Sequence, residues 1–233
     1  MNFIYLQDYI EMSRIAQIEF DHSIMGVDHP KVILATGISP LGLYRNLVSS
    51  NKSYQKLFVI KLDEWMGIPM DHPSTCECFL KKEFISPLQI PSNQFLSMNS
   101  NAISASEECR RVSSKIDELS SIELCILGLG ENGHLGLNEP SDELSPFCHT
   151  ITLEKSTQSH PMLKNCKTKI TQGMTLGIAE IFKAKKILLL ISGDRKQNAY
   201  RALKKRKLTP QFPASLLWLH PHVTVLINNQ SVI

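Results

Sequence analysis

The hydrophobic positions of this chain fall into short continuous runs, separated by segments with helical spacing. The continuous runs predict buried β-strands at 32–35, 57–62, 122–127, 187–191 and 223–227. Helical spacing and helix-start signals predict helices at about 6–24, from 40 onward, and at 74–84, 102–119, 174–183 and 194–206. Strands that alternate with helices of this length are typical of a parallel sheet. We therefore expect an α/β fold: a single domain over residues 1–233, in three layers, with a mostly parallel sheet covered by helices on both faces.

Two of these helices carry more detailed predictions. The first shows helical apolar spacing through Ile10, Ile15, Ile18 and Phe20. Another begins with Ser74-Thr75-Cys76-Glu77, which has the pattern of a capping box. That pattern predicts Ser74 as the cap of a helix that ends near Phe84.

Composition excludes several classes of protein. With 42% hydrophobic and 20% charged residues, the chain is an ordinary globular protein. A net charge of +3 gives no support for a nucleic-acid or membrane partner. No stretch approaches the roughly 18 apolar residues of a membrane span, and the N-terminal segment lacks the apolar core of a secretory signal.

The six cysteines are scattered and show no C-x-x-C spacing, so we expect no metal site. Cys125 lies in a predicted strand and Cys109 in a predicted helix. Reduced core thiols are typical of a cytoplasmic protein, which is the expected location.

The richest chemistry follows the strand at 122–127, in a loop punctuated by Gly128, Gly130 and Gly133. Open α/β sheets place their active sites at the carboxyl ends of strands. His134 can transfer protons near neutral pH, and Glu139 could fix its tautomer. The alternative is a plain turn with solvated polar residues. Three glycines beside a histidine and two glutamates are more than a plain turn needs.

Two other loops predict an anion site. Thr36-Gly37-Ile38-Ser39-Pro40 joins a strand to a helix, and backbone N–H groups at a helix start bind phosphate. A simple helix cap is the alternative there. Lys196, after the strand at 187–191, could meet a phosphate held by the first loop.

Adjacent carboxylates, Asp63 and Glu64, follow the strand at 57–62. Side chains alternate along an extended chain, so at most one of the two faces the cleft. A partly desolvated carboxylate beside a substrate C–H bond can act as a general base. The other is then a structural or orienting group. Two solvated acids at the edge of a sheet are the alternative.

Taken together, these motifs resemble the glucosamine-6-phosphate deaminase and 6-phosphogluconolactonase superfamily, and most of all its galactosamine-6-phosphate isomerase (deaminating) branch. The resemblance runs from about residue 30 to the last predicted strand and implies a Rossmann-like fold. It is carried by the following segments: 36–40 (TGISP), 62–65 (LDEW), 128–134 (GLGENGH), 138–140 (NEP), 193–197 (GDRKQ) and 213–220 (PASLLWLH).

The resemblance also implies roles. Asp63 matches the base that moves a proton between C2 and C1 of the opened sugar, His134 the residue that opens the ring, and Glu139 its carboxylate partner. The positions that match the phosphate grip are Thr36, Gly37, Ile38, Ser39 and Lys196. Two positions depart from the glucosamine enzymes, which usually have an aspartate at Asn132 and an arginine at His160.

We therefore expect an isomerase/deaminase that converts galactosamine 6-phosphate to tagatose 6-phosphate and ammonia, without a metal or organic cofactor. The alternative is glucosamine-6-phosphate deaminase, which gives fructose 6-phosphate. A 6-phosphogluconolactonase and a non-catalytic sugar-phosphate sensor are further alternatives. The expected partner is one small amino-sugar phosphate, the expected state a monomer or small homo-oligomer, and residues 145–168 are a candidate lid.

Overall fold

A computed structural model describes residues 1–232, and its centre is a sheet of seven parallel strands. The spatial order is β1-β10-β9-β6-β2-β3-β5. Numbered in chain order, these strands are β1 (Asn2–Leu6), β2 (Lys31–Leu34), β3 (Phe58–Lys61), β5 (Phe95–Leu96), β6 (Ile122–Gly128), β9 (Ala184–Ile191) and β10 (Val223–Asn228). All five predicted strands lie in this sheet, and its two edge strands, β1 and β5, were not predicted.

A second, smaller sheet is antiparallel and was not predicted. It contains β4 (Asp63–Trp65), β8 (Gln172–Thr175) and β7 (His149–Thr152), in that spatial order. Leu62 separates β3 from β4, so the chain passes from one sheet to the other next to Asp63. In the register of the small sheet, Asp63 is opposite Thr175.

Helices cover both faces of the large sheet, as expected. The helices of the described residues are α1 (Tyr9–Ile24), α2 (Ile38–Val48), α3 (Cys76–Leu80), α4 (Ala105–Asp117), α5 (Lys155–Gln158), α6 (Ile178–Phe182), α7 (Gln197–Lys204) and α8 (Asn229–Val232). A single π-helical turn, Lys81–Ile85, continues α3. None of the helices in residues 1–232 is long and apolar enough to span a membrane.

Alternating side chains of the strands divide the core into two apolar clusters. Leu124 and Ile126 pack with α1, α2 and α3, whereas Cys125 and Leu127 pack with α4, α6 and α7. The strand interiors are apolar on both faces because each face is covered by helices. The three-layer α/β fold is therefore confirmed.

Several local features differ from these predictions. The buried face of α1 is formed by Met12, Ala16 and Phe20, which are four residues apart, whereas Ile10 is 78% exposed. The cap of α3 is Thr75, not Ser74, and its hydroxyl accepts a hydrogen bond from the N–H of Cys78. With Thr75 as the cap, the third helical position is Cys78, which has no carboxylate to complete a capping box.

Three helix boundaries also differ from the predictions. The segment predicted as a helix at 174–183 begins in β8, since Gln172–Thr175 pairs with both neighbouring strands, and α6 starts only at Ile178. The segment predicted at 194–206 begins as a 3-10 turn, Asp194–Lys196, before α7. The helix predicted at 102–119 is shorter at both ends.

Candidate active site

Four loops that leave neighbouring strands meet at one cleft of about 400 Å³, at the carboxyl end of the large sheet. They follow β2, β3, β6 and β9. Eight of the ten predicted site residues line this cleft: Thr36, Gly37, Ile38, Ser39, Asp63, His134, His160 and Lys196. The other two, Asn132 and Glu139, are not in the cleft wall and contact His134 instead.

Asp63 faces the cleft and is only 8% exposed. As the alternation of side chains predicted, its neighbour Glu64 is not in the cleft wall and lies on the other side of β4. The thiol of Cys76 donates to Oδ1 of Asp63 over 3.6 Å. Burial, followed by the negative charge of Glu64, raises the pKa of Asp63 to about 6. Asp63 is thus a carboxylate that takes up a proton readily near neutral pH.

His134 is held against a buried carboxylate. Its Nδ1 lies 3.4 Å from Oε2 of Glu139, and the Thr157 hydroxyl is 3.5 Å from the same nitrogen. The other ring nitrogen, Nε2, is then the one available to a ligand. Gly130 permits this arrangement, because a Cβ at that position would lie 2.4 Å from the imidazole ring.

Asn132 fixes both partners of this pair. Its side-chain N–H donates to Oε2 of Glu139 over 2.8 Å, and its oxygen accepts from the backbone N–H of His134 over 3.2 Å. Burial alone would raise the pKa of Glu139, but hydrogen bonds and the positive charge available on His134 lower it overall. Glu139 therefore stays ionised beside the histidine. An amide at position 132 supports this carboxylate and adds no charge of its own.

Another part of the cleft wall is suited to an anion. Gly37 has a φ of 97°, which favours glycine, and α2 begins at the next residue. The backbone N–H groups in the first turn of α2 have no partner within the helix, and this turn lies in the cleft wall. Lys196 reaches the same cleft from the loop after β9. Burial, and to a lesser degree the nearby Arg195, lower the pKa of Lys196 from its usual value. An incoming phosphate would relieve both effects.

Arg195 is turned to the rim of the cleft, where its Nε lies 3.0 Å from Oε1 of Glu131. Glu131 belongs to the glycine-rich loop after β6, so this ion pair joins two of the four cleft loops. Lys196, which the sequence predicts as the cation of the anion site, lines the cleft beside Arg195.

His160 comes from the segment between β7 and β8 and packs on Trp65, with ring centroids 5.5 Å apart. Its Nδ1 accepts from the backbone N–H of Met162, which leaves the proton on Nε2. Burial, then the nearby His134, Lys196 and Arg195, lower the pKa of His160 to about 4. At neutral pH it is thus an uncharged donor, which an arginine at this position could not be.

The sequence did not predict the residues that contact and support the site residues. They are Lys61, Glu77, Cys76, Thr157 and Trp65. Lys61 was the one detectable signal, since a lysine that ends a buried strand requires a charged partner nearby. Within residues 1–232, no group of three or more His, Cys, Asp or Glu side chains could hold a metal ion.

This arrangement combines an anion loop, a base and a histidine–carboxylate pair in one cleft. Residues 15–227 match the family of glucosamine-6-phosphate isomerases/6-phosphogluconolactonase. This chain belongs to that family.

Several similar proteins are named as deaminases. The chain is 39% identical over 227 residues to "Putative deaminase AgaI" of Escherichia coli K12, covering 96% of this chain and 90% of the relative. It is 33% identical to the glucosamine-6-phosphate deaminase of Thermoanaerobacter pseudethanolicus, with 99% and 94% covered. A solved monomeric glucosamine-6-phosphate deaminase superimposes with a TM-score of 0.93 at 33% identity, covering 99% and 98%. The chain is an enzyme of the glucosamine-6-phosphate deaminase family.

Proposed function

We propose that this enzyme isomerises and deaminates an amino-sugar 6-phosphate, converting galactosamine 6-phosphate to tagatose 6-phosphate and ammonia. The observation that carries the proposal is the placement of Asp63 in the same cleft as His134, the anion loop and Lys196. Glucosamine 6-phosphate, which would give fructose 6-phosphate, is the second candidate. The relatives named as glucosamine-6-phosphate deaminases favour it equally.

The phosphate is the anchor. Backbone N–H groups at the start of α2, the Ser39 region and Lys196 would bind it, and His160 would donate from Nε2. These contacts are remote from the reacting carbons, so their binding energy can orient C1 and C2 toward Asp63.

His134 would open the sugar ring. Its Nε2 takes the proton of the C1 hydroxyl and returns it to the ring oxygen, while Glu139 stabilises the protonated imidazole. Hydrogen bonds from Asn132 hold Glu139 and the His134 backbone in position for this transfer.

Asp63 would then move the proton that isomerises the open chain. The carboxylate removes the proton from C2 as the C1 oxygen takes up a proton, which gives an enol that carries the amine. The carboxylate then returns its proton to C1 as the amine nitrogen gives up a proton. The product has an imine at C2, and addition of water releases ammonia and leaves the ketose. A pKa of about 6 suits this residue, because it must both accept and return a proton near neutral pH.

Two other functions would leave some of these site residues without a role. Hydrolysis of 6-phosphogluconolactone needs no base at C2, so it gives no role to a buried carboxylate with a raised pKa. A non-catalytic sensor would need the anion loop but not the paired His134 and Glu139. A cytoplasmic location, a monomeric or small oligomeric state and a lid at 145–168 stay predictions.

An ammonia-release assay tests the proposal. Purified enzyme is given galactosamine 6-phosphate, glucosamine 6-phosphate or 6-phosphogluconolactone, with ammonia, ketose phosphate and acid production followed in parallel. We expect ammonia and ketose phosphate in equal amounts from an amino sugar, with galactosamine 6-phosphate preferred. Preference for glucosamine 6-phosphate would select the second candidate, and lactone hydrolysis without ammonia release would contradict both.

A further inference from the structure

Glu64 lies next to the proposed base in sequence, is fully buried and is not part of the cleft wall. Its carboxylate accepts four hydrogen bonds, two on each oxygen. The donors are the backbone N–H groups of Trp65 (2.8 Å) and Cys76 (2.9 Å) on Oε1, and the Lys61 ammonium (2.6 Å) and the backbone N–H of Glu77 (2.9 Å) on Oε2. Every one of these contacts is a donor, so both carboxyl oxygens of Glu64 act as acceptors.

These contacts tie two elements together. Cys76 and Glu77 are the first two residues of α3, and their N–H groups have no partner within the helix. Glu64 supplies that partner from β4. Lys61 compensates the buried charge: burial alone would lower its pKa, but Glu64 and Glu77 raise it above the usual value. The first turn of α3 is therefore fixed relative to the strand that carries the base.

That turn brings a thiol to the base. Burial raises the pKa of the Cys76 thiol well above its usual value, so the S–H is retained and donates to Oδ1 of Asp63 over 3.6 Å. The hydroxyl of Thr36 donates to the same sulfur over 3.4 Å. The contacts close a loop that runs from Asp63 to Glu64 along the chain, across to α3, and back to Asp63 through the thiol.

We infer that Glu64 and Cys76 are positioning residues for Asp63: Glu64 fixes the first turn of α3, and the Cys76 thiol, placed by that turn, orients the Asp63 carboxylate in the cleft. The consequence for catalysis rests on the proposed function. The geometric claim does not, because it concerns only contacts within the protein.

The two residues act on the charge of Asp63 in opposite directions, which makes their roles separable. The negative charge of Glu64 raises the pKa of Asp63, and the thiol hydrogen bond lowers it, with the effect of Glu64 the larger. Changing Glu64 should therefore lower this pKa even if the thiol contact is lost with it. The titratable groups that act on Asp63, or that it acts on, are Glu64, Cys76, His134, Lys61 and Tyr44.

The experiment is a carboxyl-carbon NMR titration of Asp63, with its signal assigned from an Asp63→Asn sample. Glu64→Gln should move the midpoint below that of the wild type, and Cys76→Ala should move it above. Glu123→Gln is the matched control: Glu123 is also buried and accepts hydrogen bonds from a backbone N–H and a lysine, but lies at the amino end of β6, away from the cleft. It should leave the midpoint unchanged.

Kinetics give the second readout. With substrate, Glu64→Gln should lower kcat by on the order of 10-fold or more, while KM stays within a few-fold, because the base is misplaced and the phosphate site is intact. If Glu64→Gln does not fold, the Cys76→Ala variant is the test: it must raise the titration midpoint of Asp63. Unshifted midpoints, or shifts of the same sign, would overturn the inference. Absence of ammonia release by the wild type would overturn the proposed function alone, since the titration needs no substrate.

Discussion

Asp63 and Glu139 are two carboxylates of one site, nearly equally buried, and their pKa values move in opposite directions. Asp63 is 8% exposed and Glu139 is 3% exposed. The pKa of Asp63 rises to about 6, whereas that of Glu139 falls below its usual value. Burial raises both pKa values, so the opposite net directions come from the neighbouring charges and the hydrogen-bond partners.

The number and type of donors explain this difference. Glu139 accepts from the Asn132 amide and lies beside His134, whose cation it can stabilise. Asp63 accepts only a weak thiol donor among the hydrogen bonds of the described residues, and it sits next to the charge of Glu64. Hydrogen-bond donors around Glu139 favour its charged form and lower its pKa. Asp63 has few such donors, so its protonated form is favoured and its pKa is higher.

The largest expected effect follows from changing the proton-accepting carboxylate. Asp63→Asn should lower kcat by at least ~10² while KM stays within a few-fold, because the amide cannot accept the C2 proton but leaves the anion site intact. Steady-state ammonia release measures both constants. Near-normal turnover would remove Asp63 from the mechanism.

A smaller effect is expected from the carboxylate that stays charged. Glu139→Gln should lower kcat by about 10-fold, because His134 loses the charge that stabilises its protonated form. It should also destabilise the protein at pH 7. The lowered pKa of Glu139 means that this stability is present above the unfolded-state pKa and is lost as pH falls through the folded value.

Thermal unfolding from pH 7 down to pH 3 tests that linkage. The melting temperatures of Glu139→Gln and the wild type should converge at the acid end. A difference that stays constant with pH would show that the charge of Glu139 contributes nothing to stability.

Away from both carboxylates, Lys196→Ala should act on binding. The loss of one charge-assisted contact to phosphate should raise KM by about 10-fold with a lesser change in kcat. Arg195→Ala is the control on the neighbouring residue, since the Arg195 side chain is paired with Glu131 at the rim. An unaltered KM in Lys196→Ala would place the phosphate elsewhere.

A separate effect is expected on stability at Asp63, and its sign is opposite to that at Glu139. Because the folded pKa of about 6 lies above the usual 3.8, the charged form costs stability above pH 6 and nothing below pH 3.8. Asp63→Asn should therefore stabilise the protein at pH 8 by on the order of 2 kcal/mol. Chemical denaturation at pH 8 and pH 4 measures the difference, and a gain that persists at pH 4 would contradict this origin.

The sequence predicted the parts of this site that depend on strand ends. Apolar runs such as those of β2 and β6 identify buried parallel strands, and the loops that follow them must converge. Asp63 and Glu64 could be assigned to opposite sides because alternation is a local property of an extended chain. These predictions needed no knowledge of which elements are neighbours.

The remaining contacts depend on tertiary pairing, which no local pattern contains. β4, β7 and β8 are three or four residues long and largely polar, so they lack the apolar run that marks a strand. Cys76 contacts Asp63 because Glu64 binds the first turn of α3, which comes later in the chain. Lys61 occupies the end of an apolar strand, a position where the pattern predicts an apolar residue. Local capping chemistry predicted Ser74 as the cap of α3, whereas Thr75 is the cap and the Glu77 carboxylate pairs with Lys61 instead of the backbone.

The fate of the hydrogen on C2 of the substrate tests the central claim most directly. An amino-sugar 6-phosphate that carries deuterium at C2 is incubated with wild-type enzyme or with Asp63→Asn, and the label is followed by NMR. The wild type should move deuterium from C2 to C1 or to solvent, and Asp63→Asn should bind the sugar and leave the label in place. Loss of label at the wild-type rate in Asp63→Asn would contradict the assignment of Asp63 as the base.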